Sequence, residues 1–422
     1  MPHSSSARIL LGIAAATALA LAGNGQARAE AQLLIEASTG KVLHAENATY
    51  PWYPASVTKL MTAYATLRAI KEGRVSMNTL LTVSRNAVAQ QPTKMGFKLG
   101  TTVTIDNALK MLMVKSANDM AVTIAEGVGG SITGFADLMN ANARRLGMTQ
   151  SNFVNPNGLP AENHVTSARD LGILARALIT EYPEYDYLWH IHAIQYGNRV
   201  MRNYNSLLDR YPGADGMKTG FICASGYNVV ASATRNGRRL IAIVLGAWSG
   251  GARSQKAGQL LERGFNGGGL SWLTPSLGTV DALAPIDAQP PNLREEMCGG
   301  HRRKPPSEDN DEEEEPTAAA ASSSTEGDSG SAQAFMLSNL KPANGKFVLG
   351  PAVETEAPIR VFTGPADHPD PVQSASAPSK KKRKKAVASV EPKADSADKP
   401  AIKSEKKAAK KTAKPKVSTA TQ

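Results

Sequence analysis

The chain has 422 residues, 41% of them hydrophobic, which is room for one large domain or two. Its formal charge of +11 equals that of one stretch: Lys380 to Lys416 hold fifteen Lys and Arg against four Asp and Glu, and the remainder sums to zero. The total charge outside that stretch therefore gives no argument for a nucleic-acid partner, and seven His without ligand spacing argue against a metal enzyme.

In chain order, Arg8, the apolar run Ile9 to Ala22 and the small-x-small Ala27-Arg28-Ala29 predict a cleaved export signal over 1–29. An uncleaved anchor is disfavoured, because Gly23, Asn24, Gly25 and Gln26 follow the run directly. Ala31 to Glu36 and Val42 to Glu46 flank Ser38-Thr39-Gly40 as a hairpin. From about Ser56 to Glu72 an amphipathic helix is expected, with Leu60, Met61, Tyr64, Leu67 and Ile70 on its apolar side. Ile105 to Met113 reads as helix, as does Met120 to Glu126 with Asp119 where a cap belongs. Phe135 to Leu146 is closed by Gly147, and Ser167 with Asp170 opens a helix to Ile179. His190 and His192 are expected to alternate along a strand. Strands then dominate: Met217 to Phe221, Asn228 to Thr234 and Leu240 to Gly246, the last two flanking the turn Asn236-Gly237, before a closing helix from Ser254 to Phe265.

The expected fold class is α+β, an antiparallel sheet with a packed helical subdomain. The catalytic domain is assigned to 30–270. Residues 271–379 form a low-complexity Pro/Ala/acidic region expected to be mostly disordered, with Phe347 to Leu349 and Ile359 to Phe362 assigned to that tail. Residues 380–422 form a Lys-rich basic tail, in which the nuclear-targeting look of Lys380 to Lys385 is incidental to an exported chain. Cys223 and Cys298 either form one bridge in an oxidising compartment or stay as two thiols.

Three stretches carry chemistry: Ser56-x-x-Lys59, Ser116-Ala117-Asn118 and Lys218-Thr219-Gly220. The first alone is weak, because Ser38/Lys41, Ser338/Lys341, Ser379/Lys382, Ser396/Lys399 and Ser404/Lys407 repeat its spacing, and a serine at a helix start is commonly a cap. Together and in order they match the serine acyl-transfer set of β-lactamases and penicillin-binding proteins. Pro54 to Tyr64, Asn155-Pro156-Asn157-Gly158-Leu159, Asp215 to Gly220 and Ala224-Ser225-Gly226-Tyr227-Asn228 resemble the low-molecular-mass D-alanyl-D-alanine carboxypeptidases, over roughly Ala31 to Phe265.

The residue types suit that reaction. Ser56 is the expected nucleophile, and Lys59, one helical turn away, the proton acceptor if burial and the second cation Lys218 favour its neutral amine. Ser116 is expected to relay a proton and Asn118 to orient Lys59. Lys218 supplies positive charge, Thr219 a hydroxyl, and Gly220 lets substrate lie against an edge strand. The resemblance adds the backbone N–H groups of Ser56 and Phe221 as oxyanion donors. It also pairs Arg253 with Thr219 on the substrate carboxylate, against the alternative of an exposed arginine at a helix start.

The implied activity is removal of the terminal D-alanine from peptidoglycan stem pentapeptides through an acyl-enzyme, with β-lactams as acylating ligands and no cofactor or metal. A D,D-endopeptidase shares the site. A β-lactamase would add a glutamate-bearing loop, for which Glu162 is the only weak candidate, and a non-catalytic wall-binding scaffold is the reading from another class. Many relatives end in an amphipathic membrane helix, whereas no apolar stripe follows Lys380 here. The expected tail partners are therefore anionic wall polymers or lipids, held electrostatically.

Overall fold

The structure, a computed structural model, describes residues 30–267, 276–300, 347–353 and 356–370. The expected export signal and the Lys-rich tail lie outside the described residues, as does most of the acidic and Ala/Ser-rich stretch. The strands are β1 (Ala31–Glu36), β2 (Val42–Glu46), β3 (Leu80–Thr82), β4 (Thr102–Thr104), β5 (Ala193–Tyr196), β6 (Arg199–Arg202), β7 (Ala214–Ile222), β8 (Gly226–Arg235), β9 (Arg238–Ala247) and β10 (Ile359–Arg360). The helices are α1 (Lys59–Lys71), α2 (Arg85–Ala89), α3 (Ile105–Val114), α4 (Asn118–Gly129), α5 (Ile132–Leu146), α6 (Ala168–Glu181), α7 (Tyr187–His190), α8 (Leu207–Arg210), α9 (Gly250–Asn266) and α10 (Arg294–Cys298).

The scaffold is a five-stranded antiparallel sheet in the order β2-β1-β9-β8-β7, with β7 at the edge. Side chains alternate faces along a strand, and here both faces are covered. Leu33, Ile35, Val230, Ile241 and Ile243 join the large core shared with the helical layer. Leu34, Val229, Ala231, Ala242 and Val244 join a second core under Ala257, Leu260 and Leu261 of α9. Double coverage is why β8 and β9 read as almost unbroken apolar runs. On the helical side, Ser167 caps α6 by accepting the Asp170 N–H, as its spacing predicts. Among the described residues no helix is long and apolar enough to cross a membrane. The α+β class expected from the sequence is the one observed.

Several local expectations change. The single helix expected from Ser56 is a 3-10 turn, Ala55–Thr58, that runs into α1; Ala55 takes φ +51° at its start. Ser56 makes no capping bond there. Asp119 is inside α4 and is not its cap, because Ala117 occupies that position and the carboxylate turns away to the 95–96 backbone. His190 and His192 are not on a strand: His190 ends α7, 3.1 Å from Asp186, and His192 lies 2.6 Å from Asp209.

The largest difference concerns the stretch after α9. Residues 276–300 run along the domain: Val280 N–H donates to Gly40 O, Gln150 donates to Ile286 O, and Leu293 N–H donates to Ala224 O. Met297 is buried, and Cys298 is disulfide-bonded to Cys223 in the turn between β7 and β8. Farther on, Phe347 packs against the second core and β10 pairs in parallel with β5. Phe347 to Leu349 and Ile359 to Phe362, assigned from the sequence to a disordered tail, therefore pack on the domain where they are described. Their short apolar runs gain a partner only from the sheet edge and the α9 face, neither of which is adjacent in sequence.

Candidate active site

The cleft lies where the turn carrying Ser56, on the helical side, meets the edge strand β7. Gly220 shows how tight this meeting is: a Cβ there would stand 2.7 Å from Ser56 N and 2.9 Å from Val57 N. Only hydrogen at that position allows the edge strand to lie against the turn. From the neighbouring strand Asn228 donates its side-chain amide to Tyr53 O and Pro54 O, each at 3.1 Å, and accepts the Gly246 N–H at 3.0 Å. The chain entering the turn is thereby fixed to the sheet.

Ser56 is half-buried, and Lys59 below it is fully buried. Lys59 Nζ lies 3.0 Å from Ser56 Oγ, 2.8 Å from Asn118 Oδ1 and 2.7 Å from Asn157 O. The three-residue spacing seen in sequence thus becomes a direct contact. Asn118 is itself held by its other side-chain atom, which donates to Gln91 O at 3.0 Å. Ser116 stands at φ +56°, a left-handed conformation that costs a non-glycine residue of order 1 kcal/mol and persists only where the surroundings impose it. Those surroundings are visible. The Asn118 N–H donates to Thr93 O at 2.8 Å, Thr93 Oγ1 donates to Ser116 O at 2.9 Å, and Asp119 receives the Met95 and Gly96 N–H groups. Burial pushes the Asp119 carboxyl above its ordinary range, a shift opposed by those backbone donors.

Lys218 and Thr219 are buried on β7, and the Lys218 ammonium donates to Thr219 O at 3.0 Å. The hydroxyl oxygens of Ser116 and Thr219 are both buried without a hydrogen-bond partner among the described residues, a state that buried hydroxyls rarely keep unless a ligand uses them. Arg253, in the first turn of α9, is only 2% exposed, so the reading of it as an exposed helix-start arginine fails. Its guanidinium reaches Asn228 O at 3.5 Å and Tyr204 O at 3.3 Å and lies 5.6 Å from the Tyr227 ring centre. Phe221 follows Gly220 on β7, its ring 4.4 Å from that of Tyr227. Glu162 is exposed.

Sequence reasoning missed the layer beneath these residues. The Asn155–Gly158 stretch, noted only as a matching flank, supplies the Asn157 carbonyl to Lys59, while Asn157 Nδ2 donates to Gln90 Oε1 at 2.8 Å. Gly158, at φ +81°, sits where a Cβ would be 1.8 Å from Ala55 O. His164 was not singled out at all, yet it is buried under the turn. Its Nδ1 accepts the Val154 N–H at 3.0 Å, so the proton is on Nε2, which donates to Thr58 Oγ1 at 2.9 Å. Burial pulls the His164 pKa down to about 4. Among the described residues no group of three or more His, Cys, Asp and Glu is arranged to hold a metal ion.

With the geometry established, comparison with known proteins is informative. The profile of the D-alanyl-D-alanine carboxypeptidase family matches residues 16–249. A D-alanyl-D-alanine carboxypeptidase DacD of Salmonella typhimurium is 36% identical over 243 residues, which is 56% of this chain and 62% of that relative. DacC of Escherichia coli is 36% identical over 245 residues, covering 56% and 61%. The chain thus spans under two thirds of the length of these curated relatives. Among solved structures, penicillin binding protein 5 of Haemophilus influenzae aligns with a TM-score of 0.55 at 33% identity, over 57% of this chain and 71% of that one. Penicillin-binding protein D2 of Listeria monocytogenes in its ampicillin-bound form aligns with a TM-score of 0.50 at 29% identity, over 56% and 96%. On the match across more than half its length, with the three motifs gathered at one cleft, the chain belongs to the D-alanyl-D-alanine carboxypeptidase family of serine peptidases.

Proposed function

We propose that the protein is a serine-type D-Ala-D-Ala carboxypeptidase that trims the terminal D-alanine from peptidoglycan stem pentapeptides and is acylated by β-lactams. The observation that carries this reading is the environment of Lys59 Nζ. Asn118 Oδ1 and Asn157 O beside it can only accept, whereas the Ser56 hydroxyl can also donate. A neutral amine has two N–H groups for the first two and one lone pair for the third. Ser56 Oγ attacks the carbonyl carbon of the penultimate D-alanine while its proton passes to Lys59. The oxyanion is held by the backbone N–H groups of Ser56 and Phe221.

As the C–N bond breaks, Ser116 relays the proton from Lys59 to the departing amine of D-alanine. Thr219 and Arg253 hold its carboxylate, and Lys218 contributes positive charge to that end of the cleft. Asn118 keeps Lys59 aimed and hydrogen-bonds the substrate amide. Water then attacks the Ser56 ester carbonyl, giving a proton to Lys59, which returns it to Ser56 Oγ as the C–O bond breaks and the tetrapeptide leaves. The substrate lies outside the cytoplasm, and the Cys223–Cys298 bridge supports that location, because such bonds persist in oxidising compartments. The Lys-rich tail is assigned weak electrostatic contact with anionic wall polymers or lipids, which high salt would release.

The test is mass spectrometry after incubation with benzylpenicillin, followed by D-alanine release from a stem pentapeptide. One covalent adduct on Ser56, absent in Ser56→Ala, together with released D-alanine is expected; an unmodified wild-type chain refutes the reading.

A further inference from the structure

Beside the end of the cleft that holds the carboxylate stands a pair of residues that the mechanism above does not use. Lys115 directly precedes Ser116; its ammonium donates to the Tyr204 hydroxyl and lies 4.8 Å from the centre of the Tyr204 ring. The other end of the same tyrosine touches the opposite wall, since its carbonyl accepts from Arg253 Nη2 at 3.3 Å. Neighbours on both sides fix its backbone. Asn205, buried, donates to Gly216 O at 2.8 Å, Asn203 donates to Ile191 O at 2.9 Å, and the Asn205 N–H donates to Asn203 Oδ1 at 3.0 Å. One residue farther, Ser206 Oγ lies 3.0 Å from Ser254 Oγ, next to Arg253 on α9. Tyr204 is therefore pinned by its backbone to the sheet side and by its hydroxyl to the residue before Ser116.

We propose that the Lys115–Tyr204 contact is a specificity bar across the leaving-group end of the cleft, confining the departing amine to a single small D-amino acid. The inference rests on the proposed carboxypeptidase reading and narrows it. Hydrolysis of a pentapeptide and of a cross-link breaks the same kind of amide bond. They differ in what the departing amine carries: a methyl side chain in D-alanine, the remainder of a second stem peptide in a cross-link. Arg253 and Thr219 fix where the leaving residue's carboxylate sits, and the tyrosine that carries one of the Arg253 contacts then limits what extends past it. A methyl group clears such a bar, whereas a peptide chain has to displace a side chain anchored at both ends. The cation on Lys115 adds attraction for a free carboxylate at the same end.

Wild type, Tyr204→Ala, Tyr204→Phe and Lys115→Ala are each given a stem pentapeptide and a purified cross-linked muropeptide dimer, and kcat/KM is measured for both. The expected result is a preference for the pentapeptide that falls about 10-fold or more in Tyr204→Ala, mainly through faster dimer cleavage, and falls less in Tyr204→Phe and Lys115→Ala. Benzylpenicillin adduct formation on each variant confirms a folded site. An unchanged ratio in Tyr204→Ala, or an equal loss on both substrates, overturns the proposal while leaving the carboxypeptidase reading standing. A wild type that neither releases D-alanine nor forms the adduct overturns both.

Discussion

On one wall of the cleft, Lys218, Thr219 and Gly220 sit in an edge strand that pairs with β8 in one register from Gly216 to Ile222, after a register shift between Ala214 and Gly216. On the other wall, Ser56 stands in a 3-10 turn after a residue at φ +51°, and Ser116 itself is at φ +56°. Side chains brace the strand wall at its start, where Asn205 donates to Gly216 O and Asp215 accepts from Ser232 and Thr234, and the ladder carries the rest. The helical wall is held by polar contacts between segments far apart along the chain: Asn157 with Lys59, Thr93 with Ser116, Asp119 with Gly96, His164 with Thr58, and Asn228 with Pro54. Ladder geometry tolerates side-chain change, whereas a strained turn fails when any of its few contacts is lost. The contrast teaches that residues outside the three motifs matter most on the helical side.

The comparison is broken most severely at its centre. Lys59→Ala removes the proposed proton acceptor, and acylation by penicillin is expected to slow by about 10^3-fold or more, measured as adduct formed against time. Gly158→Ala tests the helical wall without touching a motif. Its Cβ would meet Ala55 O at 1.8 Å from a backbone at φ +81°, so a stability loss of about 3 kcal/mol or more and a collapse of acylation are expected in urea unfolding and adduct assays. An unaffected Gly158→Ala would mean that the turn is not held from below.

The bridge beside the strand wall is expected to act on stability more than on chemistry. Cys298→Ser opens a loop with a sequence separation of 75 and is expected to lower unfolding stability by about 2–5 kcal/mol, with acylation reduced only a few-fold. Equal losses in both would show that the strand wall also depends on an external tether.

The smallest effect is a pH dependence from His164. Its folded-state pKa of about 4 lies below the ordinary value of 6.5, so the unfolded chain binds the extra proton between them. The neutral ring's contribution is fully present above about pH 6.5 and is lost as pH falls through about 4, at most ~3 kcal/mol in all. Denaturant unfolding at several pH values should show this slope in wild type and a flatter one in His164→Gln.

The three motifs were readable from the sequence because each is local: Ser56 and Lys59 meet on one turn, Ser116 and Asn118 bracket a helix start, and Lys218 to Gly220 follow one strand. The sheet was readable too, since β-branched and small apolar runs with Asn236-Gly237 between them specify paired strands. Asp119 reads in sequence only as a helix cap, and Asn157, Thr93 and His164 carry no such signature, because a lone polar residue in a loop has many uses. Only the contacts that it makes across tens of residues select one.

What the sequence by itself determined is the α+β class, the order of the main elements and the three motifs that the fold brings together, since hydrophobic period and short spacing are properties of neighbouring residues. The tertiary structure alone decided that Lys59 Nζ is enclosed by Asn118 and Asn157, that Arg253 is buried, that Cys223 reaches Cys298, and that residues near 347 and 359 pack on the domain. Each of these joins segments far apart along the chain, and such a pairing gains its energy only once the intervening loops have closed.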